Sequence, residues 1–265
     1  EGQLLGGAFL GAVVASACSS PWMGLLAAPV AGVLVALLLA LFGLRYRVNQ
    51  IVVGVVLNVL VSGLTGFLFS TFLSSSPSLN QALRLPTLAV PLLSRIPVIG
   101  PVLFRQTILV YLMYATVAIL SAMLFRSRWG LRLRACGEHP KAADTVGIKV
   151  MRTRVANLAL AGALAGLGGA FFTVGSGLSF DNDMTAGNGY IALAAMILGA
   201  WRPLGSLGAA LLFGFATSVA QTLPVIGSSV SPDIISMIPY IVTILAVAGF
   251  VGKVRAPAAE GVPYP

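Results

Sequence analysis

The sequence has very few charged or reactive side chains. Asp, Glu, Lys and Arg make up only 9% of its 265 residues, and it contains one histidine and two cysteines. Soluble domains carry about 25% charged residues, so an ordinary soluble domain is excluded. Cys18 and Cys136 fall on opposite sides of the membrane in the topology predicted below, so we expect no disulfide and interpret both as packing residues.

Motifs of the common catalytic and nucleotide-binding sites are also missing. The sequence contains no HExxH, CxxC or GxxxxGK[ST] pattern and no Ser/His/Asp set. We therefore expect no catalytic residue, metal ligand or cofactor in this chain. The net charge of +9 could suggest nucleic-acid binding. That reading is disfavoured, because the basic residues flank apolar runs, where such residues usually set membrane orientation.

Long apolar runs dominate instead. Hydrophobic residues make up 58% of the chain, and the mean hydropathy is +0.98. Runs of about 20 residues, enough to cross roughly 30 Å of hydrocarbon as a helix, recur along the whole length. The pattern predicts an all-α, polytopic membrane bundle in a lipid bilayer, with one domain over residues 1–252 and a tail at 253–265. About eight spans are predicted, at residues 2–18, 22–44, 50–73, 106–125, 155–176, 189–201, 203–223 and 234–252. Because the chain opens on Glu1 rather than Met and directly on an apolar run, we expect it to lack its natural N-terminus.

The distribution of basic residues predicts the orientation. Eight of the 16 Lys and Arg residues lie within 126–154, beside only two acids, Glu138 and Asp144. Placing this loop inside, together with the tail, leaves only Arg84, Arg95 and Arg105 outside and puts Asp181, Asp183 and Asp233 outside. This asymmetry follows the positive-inside rule, so loop 126–154 and the C-terminus are predicted to be cytoplasmic.

Three segments are irregular. Segment 189–201 is short for a full crossing and turns at once through Arg202 and Pro203. It is either a re-entrant or broken helix lining a cavity, or a slightly short helix with a tight hairpin. Loop 74–105 contains five prolines and is predicted to form a folded external cap or an interfacial segment. Residues 179–190 (SFDNDMTAGNGY) are predicted to form a polar external loop.

No predicted span carries a charged residue in its interior, since all seven acids fall at ends or in loops. Ion-driven carriers usually need a titrating group at membrane depth, so energy for uphill transport would have to enter from a partner. Four uncharged polar residues are candidates for a translocation path: Asn58, Asn188, Tyr190 and Gln221. An uncharged lining suits a small neutral solute such as a sugar or nucleoside. The alternative is that these side chains only hydrogen-bond neighbouring helices.

Within the basic loop, residues 138–145 (EHPKAADT) can form a short helix. Pro140 would lie in its first turn, where a missing N–H costs nothing, and Gly147 would end it. Such a helix could fit a groove in an ATPase subunit. The competing interpretation is a solvated loop whose charges only orient the protein.

Several of these stretches together resemble one family. RACGEHPKAADTVGIKV resembles the coupling loop of permease subunits of bacterial ABC importers for simple sugars, ribose, branched-chain amino acids and nucleosides. GNGYIALAAMILGAWRPLGSLGAALLFG, RVNQIVVGVVLNVL and VGKVRAPAAEGVPYP are most similar to purine-nucleoside-type permeases. The resemblance implies coupling to the ATPase through Glu138, His139, Pro140, Lys141, Ala142, Ala143, Asp144 and Gly147.

The resemblance also implies partners and a location. These are two ATPase subunits that bind ATP and Mg, a second permease subunit (related or identical), and an external solute-binding lipoprotein, at a bacterial plasma membrane. ATP-driven movement of the coupling helices would then switch the cavity between outward-facing and inward-facing forms. Two alternatives stay open: an ATP-independent facilitator or secondary carrier of small neutral solutes, and a membrane scaffold.

Overall fold

The computed structural model describes residues 1–91, 94, 103–225, 237, 241, 256–262 and 264. Within them the chain forms nine α-helices. They are α1 Gly2–Ala17, α2 Pro21–Ala40, α3 Gln50–Leu68, α4 Ile108–Arg126, α5 Arg128–Glu138, α6 Pro140–Thr145, α7 Val150–Ala170, α8 Asn188–Leu198 and α9 Pro203–Val225. Three of them continue as a wider π-helical turn, α2 through Leu41–Arg45, α3 through Phe69–Leu73 and α7 through Phe171–Gly175.

The predicted polytopic helical bundle is confirmed. Five helices of the described part are long and apolar enough to cross a membrane: Pro21–Arg45, Gln50–Leu73, Ile108–Arg126, Val150–Gly175 and Pro203–Leu223. Gly2–Ala17 and Asn188–Leu198 are shorter apolar helices. The eighth predicted span, at 234–252, lies outside the described residues except for Met237 and Ile241.

Helices α1, α2 and α7 pack together at the centre of the bundle. Their backbones touch at glycines: a Cβ at Gly32 would collide with the carbonyl of Gly162, and one at Gly7 would collide with the backbone of Gly166. In lipid there is little hydrophobic drive between helices, so close van der Waals packing of small residues holds them together. The glycine-rich stretch of α7 therefore forms a helix contact, whereas Gly208 of α9 meets no described atom within 4 Å.

The basic segments gather at one end of the bundle. Leu44 and Gln50, which flank the Arg45–Arg47 turn, line the same cavity as Cys136 and Arg154. Arg202 lines another cavity together with Phe125, at the end of α4. We call this end the basic end. At the opposite end, the N–H of Gln81 donates to Ser16 Oγ at 2.8 Å, and the N–H of Leu85 donates to the carbonyl of Val174 at 2.8 Å.

The predicted external loop contains a small sheet that an all-α expectation did not include. Strand β1 (Thr87–Ala89) pairs antiparallel with β2 (Arg105–Thr107), with Thr87 opposite Thr107. Leu85, just before β1, is only 1% exposed and packs against the bundle core. Residues 92, 93 and 95–102 of this loop lie outside the described residues.

The sequence predicted an external loop at residues 179–190. In the structure, the chain between α7 and α8 enters the bundle instead. Phe180 is 1% exposed and contacts the rings of Phe9 and Phe69, with centroid distances of 5.1 and 6.0 Å. Farther along, Asn182 packs against Gly66, and Tyr190 reaches Asn58. From Phe69 to Asn58 the helix α3 extends about 16 Å, so this polar segment runs deep into the bundle. We call residues 176–187 the re-entrant connection.

Helix α8 completes this broken element. Its 11 residues span about 16 Å, roughly half of the hydrocarbon thickness. Gly199 and Gly205 then pack against each other in the turn to α9 at the basic end. The structure thus decides between the two predicted forms of segment 189–201 in favour of a broken helix.

Candidate functional site

The N-terminus of α8 is capped inside the bundle by the carboxylate of Glu1. Oε1 accepts hydrogen bonds from Thr185 Oγ1 at 2.5 Å and from the N–H of Gly187 at 3.0 Å, and Oε2 accepts one from the N–H of Gly189 at 2.6 Å. Helix N-termini leave N–H groups without intrahelical partners and carry a partial positive charge. An acid from α1 therefore satisfies both the hydrogen bonds and the charge of α8.

Three of the four predicted path residues surround this cap. The N–H of Gly2 donates to Asn58 Oδ1 at 2.9 Å, and Asn58 Nδ2 donates to the hydroxyl of Tyr190 at 2.9 Å. Asn188 Nδ2 donates to the carbonyl of Thr185 at 2.7 Å. We call Glu1, Asn58, Thr185, Asn188 and Tyr190 the polar cluster. The fourth residue, Gln221, is exposed on α9 and forms no hydrogen bond with a described residue.

The polar cluster lies at membrane depth. Asn58 is eight residues from Gln50 and 15 residues from Leu73. It therefore lies about 12 Å from the basic end of this span and about 22 Å from the other end. Glu1 lies at the start of α1, and the sequence did predict that the acids fall at helix ends or in loops, but this helix end lies at membrane depth. Ionisable residues at such depth are costly and usually mark a functional pathway.

Polar side chains of the re-entrant connection and of α8 are exposed on this chain. Asp181, Asn182, Asp183 and Asn188 are exposed, and Tyr190 is 56% exposed. Non-helical backbone and polar groups within a membrane are tolerated where they are buried in protein or line water, not where they face lipid. This face of the chain is therefore suited to a water-filled cavity.

Asn80 fixes the start of this polar segment. Its Nδ2 donates to the carbonyl of Phe180 at 2.8 Å, and its Oδ1 accepts from the N–H of Phe180 at 2.7 Å. The sequence interpretation missed Asn80, Thr185 and Glu1 because their partners are remote in sequence. For Glu1 the sequence did offer one signal, an acidic residue directly beside an apolar run.

The predicted coupling helix is shorter than expected and is preceded by a helix that was not predicted. Ser127 caps the start of helix α5, since its Oγ accepts from the N–H of Gly130 at 3.1 Å, and Glu138 is the last residue of the helix. His139 interrupts the helix, and α6 then covers Pro140–Thr145. Gly147 has φ +84°, a conformation that glycine adopts without strain, so it ends the element as predicted.

The predicted coupling residues do not all face the same way. Glu138, His139, Lys141, Ala142, Asp144 and Gly147 are exposed, and Pro140 is half-buried. Ala143 is only 3% exposed, because it packs against Cys136 and Val150. Val146, which the sequence interpretation passed over, is 75% exposed and is an apolar side chain well placed to enter a partner's groove.

Cys136 is buried in this contact, as a packing residue would be. Burial raises the pKa of its thiol, while a hydrogen bond with Thr153 and the charge of Arg154 lower it in part. Cys18 is exposed near the opposite end, and both cysteines are free. A buried thiol with a raised pKa is unreactive.

Comparison with known protein families identifies the chain. The family model for the permease component of branched-chain amino acid transport systems matches residues 1–247. The chain belongs to this family. Relatives of the permease include the guanosine ABC transporter permease protein NupQ of Bacillus subtilis, 39% identical over 253 residues, which cover 93% of this chain and 78% of the relative.

Two further relatives come from a single organism, Lactococcus lactis. The nucleoside ABC transporter permease protein NupC is 41% identical to the permease over 249 residues, covering 92% of this chain and 78% of the relative. The nucleoside ABC transporter permease protein NupB is 28% identical over 161 residues, covering 60% of this chain and 44% of the relative. No solved structure matches the permease significantly.

Proposed function

We propose that this permease is a membrane subunit of an ATP-driven importer and that the solute it carries is a nucleoside. The observation that carries the proposal is the polar cluster around Glu1, which lies at membrane depth and begins a broken helix. Broken helices of this kind form solute sites in many transporters. The names of the two relatives that are about 40% identical favour a nucleoside over an amino acid.

The exposed side of the polar cluster suits a neutral solute with many hydrogen-bonding groups. Asn58, Asn188 and Tyr190 offer amide and phenol groups that bind hydroxyls and ring nitrogens. Tyr190 also offers an aromatic face on which a nucleobase can stack. Gln221 stays a predicted path residue, on α9 and without a contact to the cluster.

A second permease subunit would complete the cavity. Asp181, Asn182 and Asp183 of the re-entrant connection are exposed on a single chain, and a bilayer requires such groups to be covered by protein or water. The presence of two different nucleoside permeases in one organism favours a pair of related chains over a pair of identical ones.

At the basic end, α6 would dock on an ATPase subunit that binds ATP and Mg. Lys141 and Ala142 are exposed on α6, His139 is exposed just before it, and Val146 follows it as an exposed apolar side chain. The gathering of basic segments at this end supports a cytoplasmic position for it and for the C-terminal tail, because basic loops stay inside. The opposite end, with β1 and β2, would then receive solute from a binding lipoprotein. An ATP-independent facilitator is not favoured, since family membership connects the chain to transport systems with several components.

The substrate is tested by uptake of labelled guanosine into cells that express the permease together with its partner subunits and binding protein. We expect saturable uptake that excess unlabelled nucleoside abolishes and excess ribose or leucine leaves unchanged. Uptake of leucine or ribose in place of guanosine would contradict the nucleoside assignment.

A further inference from the structure

The coupling helix α6 has little support of its own. It has only six residues, and Ala143 is the one among them that is buried. Isolated helices shorter than about 12 residues are not stable in water. If an ATPase moved α6, this helix would therefore unfold locally instead of transmitting the motion to the membrane helices, unless contacts with other parts of the chain stabilised it.

The C-terminal tail supplies such contacts. We call residues 256–262 and Tyr264 the tail segment. The N–H of Ala259 donates to the carbonyl of Gly137 at 2.9 Å, near the end of α5. Tyr264 packs against the cluster formed by Cys136, Ala143 and Val150. The tail segment thus lies across the junction of α5, α6 and α7.

Arg154 of α7 connects these parts. Its Nη1 donates to the carbonyl of Val262 in the tail segment at 3.0 Å, and its Nη2 donates to the carbonyl of Cys136 in α5 at 3.5 Å. Its guanidinium also lies 5.8 Å from the centre of the Tyr264 ring, within the range of a cation–π interaction. One side chain therefore contacts the tail segment, α5 and, through Tyr264, the base of α6.

Tyr264 also interacts with α6 directly. Burial raises the pKa of Tyr264, and so does a hydrogen bond of its hydroxyl with the Asp144 carboxylate of α6. Ala143 and Asp144 of α6 thus lie close to Tyr264, while the other side of α6 remains exposed.

We propose that the tail segment is a clasp that fixes α6 to the ends of α5 and α7, with Tyr264 and Arg154 as positioning residues for the transmission of ATPase motion. The clasp makes α6 and the start of α7 move as one body. Without it, ATP hydrolysis continues but moves less solute per ATP. This inference rests on the proposed function, since it requires α6 to be the contact with the ATPase.

The first test compares variants of the whole reconstituted importer. Tyr264→Ala and Arg154→Ala remove the clasp contacts, whereas Arg154→Lys keeps the charge but cannot bridge Val262 and Cys136. Tyr264→Phe keeps the ring and loses only the hydroxyl. Glu260→Ala is the matched control in the tail segment, because the Glu260 side chain is exposed and only its backbone is hydrogen-bonded to a described residue.

We expect the ATPase rate and the amount of assembled complex to be unchanged, while solute moved per ATP falls about fivefold in Tyr264→Ala and Arg154→Ala, the factor that about 1 kcal/mol carries at 25 °C. Solute moved per ATP should fall as far in Arg154→Lys as in Arg154→Ala and should be intermediate in Tyr264→Phe. In Glu260→Ala it should equal that of the unaltered protein. An unchanged ratio of transport to hydrolysis in Tyr264→Ala would overturn the proposal.

A second measurement does not depend on the solute or on assembly. Hydrogen exchange of residues 138–147 is followed in the permease reconstituted in lipid. The clasp predicts faster exchange of this peptide in Tyr264→Ala than in Glu260→Ala, and equal exchange would overturn it. If the unaltered complex moved no nucleoside at all, the proposed function would fail, while the exchange measurement would still decide whether the clasp exists.

Discussion

The carboxylate of Glu1 is the strongest single connection between α1 and the broken helix, so the substitution Glu1→Gln is the most informative perturbation of the site. The carboxylate accepts three hydrogen bonds at 2.5, 3.0 and 2.6 Å. A glutamine can place its amide oxygen at Oε1 and keep the bonds from Thr185 and Gly187. Its NH₂ group then faces the N–H of Gly189, so two donors oppose each other.

The loss of folding stability in Glu1→Gln can be estimated from the hydrogen bond and the helix-end charge that the substitution removes. A hydrogen bond to a charged group contributes about 1.5–3 kcal/mol. An anion at a partly buried helix N-terminus contributes up to about 2 kcal/mol more. Because the two terms overlap, we expect Glu1→Gln to destabilise the permease by about 3 kcal/mol and to impair transport, since α8 loses its fixed starting point.

The assay is thermal unfolding of the purified permease in detergent, paired with guanosine uptake by the complete importer. Glu1→Asp keeps the charge on a side chain one methylene shorter and should be intermediate. Glu260→Gln alters an exposed acid and should leave both readouts unchanged. If Glu1→Gln unfolded at the same temperature as the unaltered protein and transported normally, the capping argument would be refuted.

Three further substitutions test the packing described above. Gly162→Ala should lower the unfolding temperature of the bundle, because the new Cβ collides with the backbone of Gly32. Gly63→Ala on α3 should not, because no described atom lies within 4 Å of a Cβ at that position. Equal effects of the two substitutions would contradict the close approach of α2 and α7. Phe180→Ala should cost about 3 kcal/mol in unfolding free energy, since it leaves a cavity at the start of the re-entrant connection, and a loss below about 1 kcal/mol would show that the ring is not in the core. Ala143→Leu should lower transport per ATP without loss of membrane insertion, because the larger side chain pushes α6 away from Cys136 and Val150; undiminished coupling would show that Ala143 does not face inward.

The sequence predicted well whatever depends on local composition. Spans such as Pro21–Arg45 and Val150–Gly175 could be located because each is a long apolar run between polar or basic residues. The sequence also predicted that the basic segments lie at the same end of the bundle, because successive spans alternate in direction. Gly147 was identified as the end of the predicted coupling helix because glycine adopts a positive φ without strain, and its φ is +84°.

The missed features depend on contacts between distant residues. The re-entrant connection was taken for an external loop because its polar residues lower the local hydropathy. Its contacts with Glu1 and Asn80, which are remote in sequence, hold it in the bundle. Helix α5 was missed because its basic residues suggested a solvated loop. The inward direction of Ala143 could not be predicted, since a six-residue helix has too few turns for a periodic pattern.

The central claim is that this permease moves a nucleoside with energy taken from ATP hydrolysis by its partners. The most direct measurement is the guanosine concentration reached inside sealed vesicles that contain the complete importer and are exposed to binding protein on the other face, with and without ATP on the ATPase side. The account predicts accumulation above the external concentration only with ATP, and loss of this accumulation in a variant of the ATPase that binds but does not hydrolyse ATP. Equilibration to the external concentration without ATP would contradict the account and identify the chain as a facilitator.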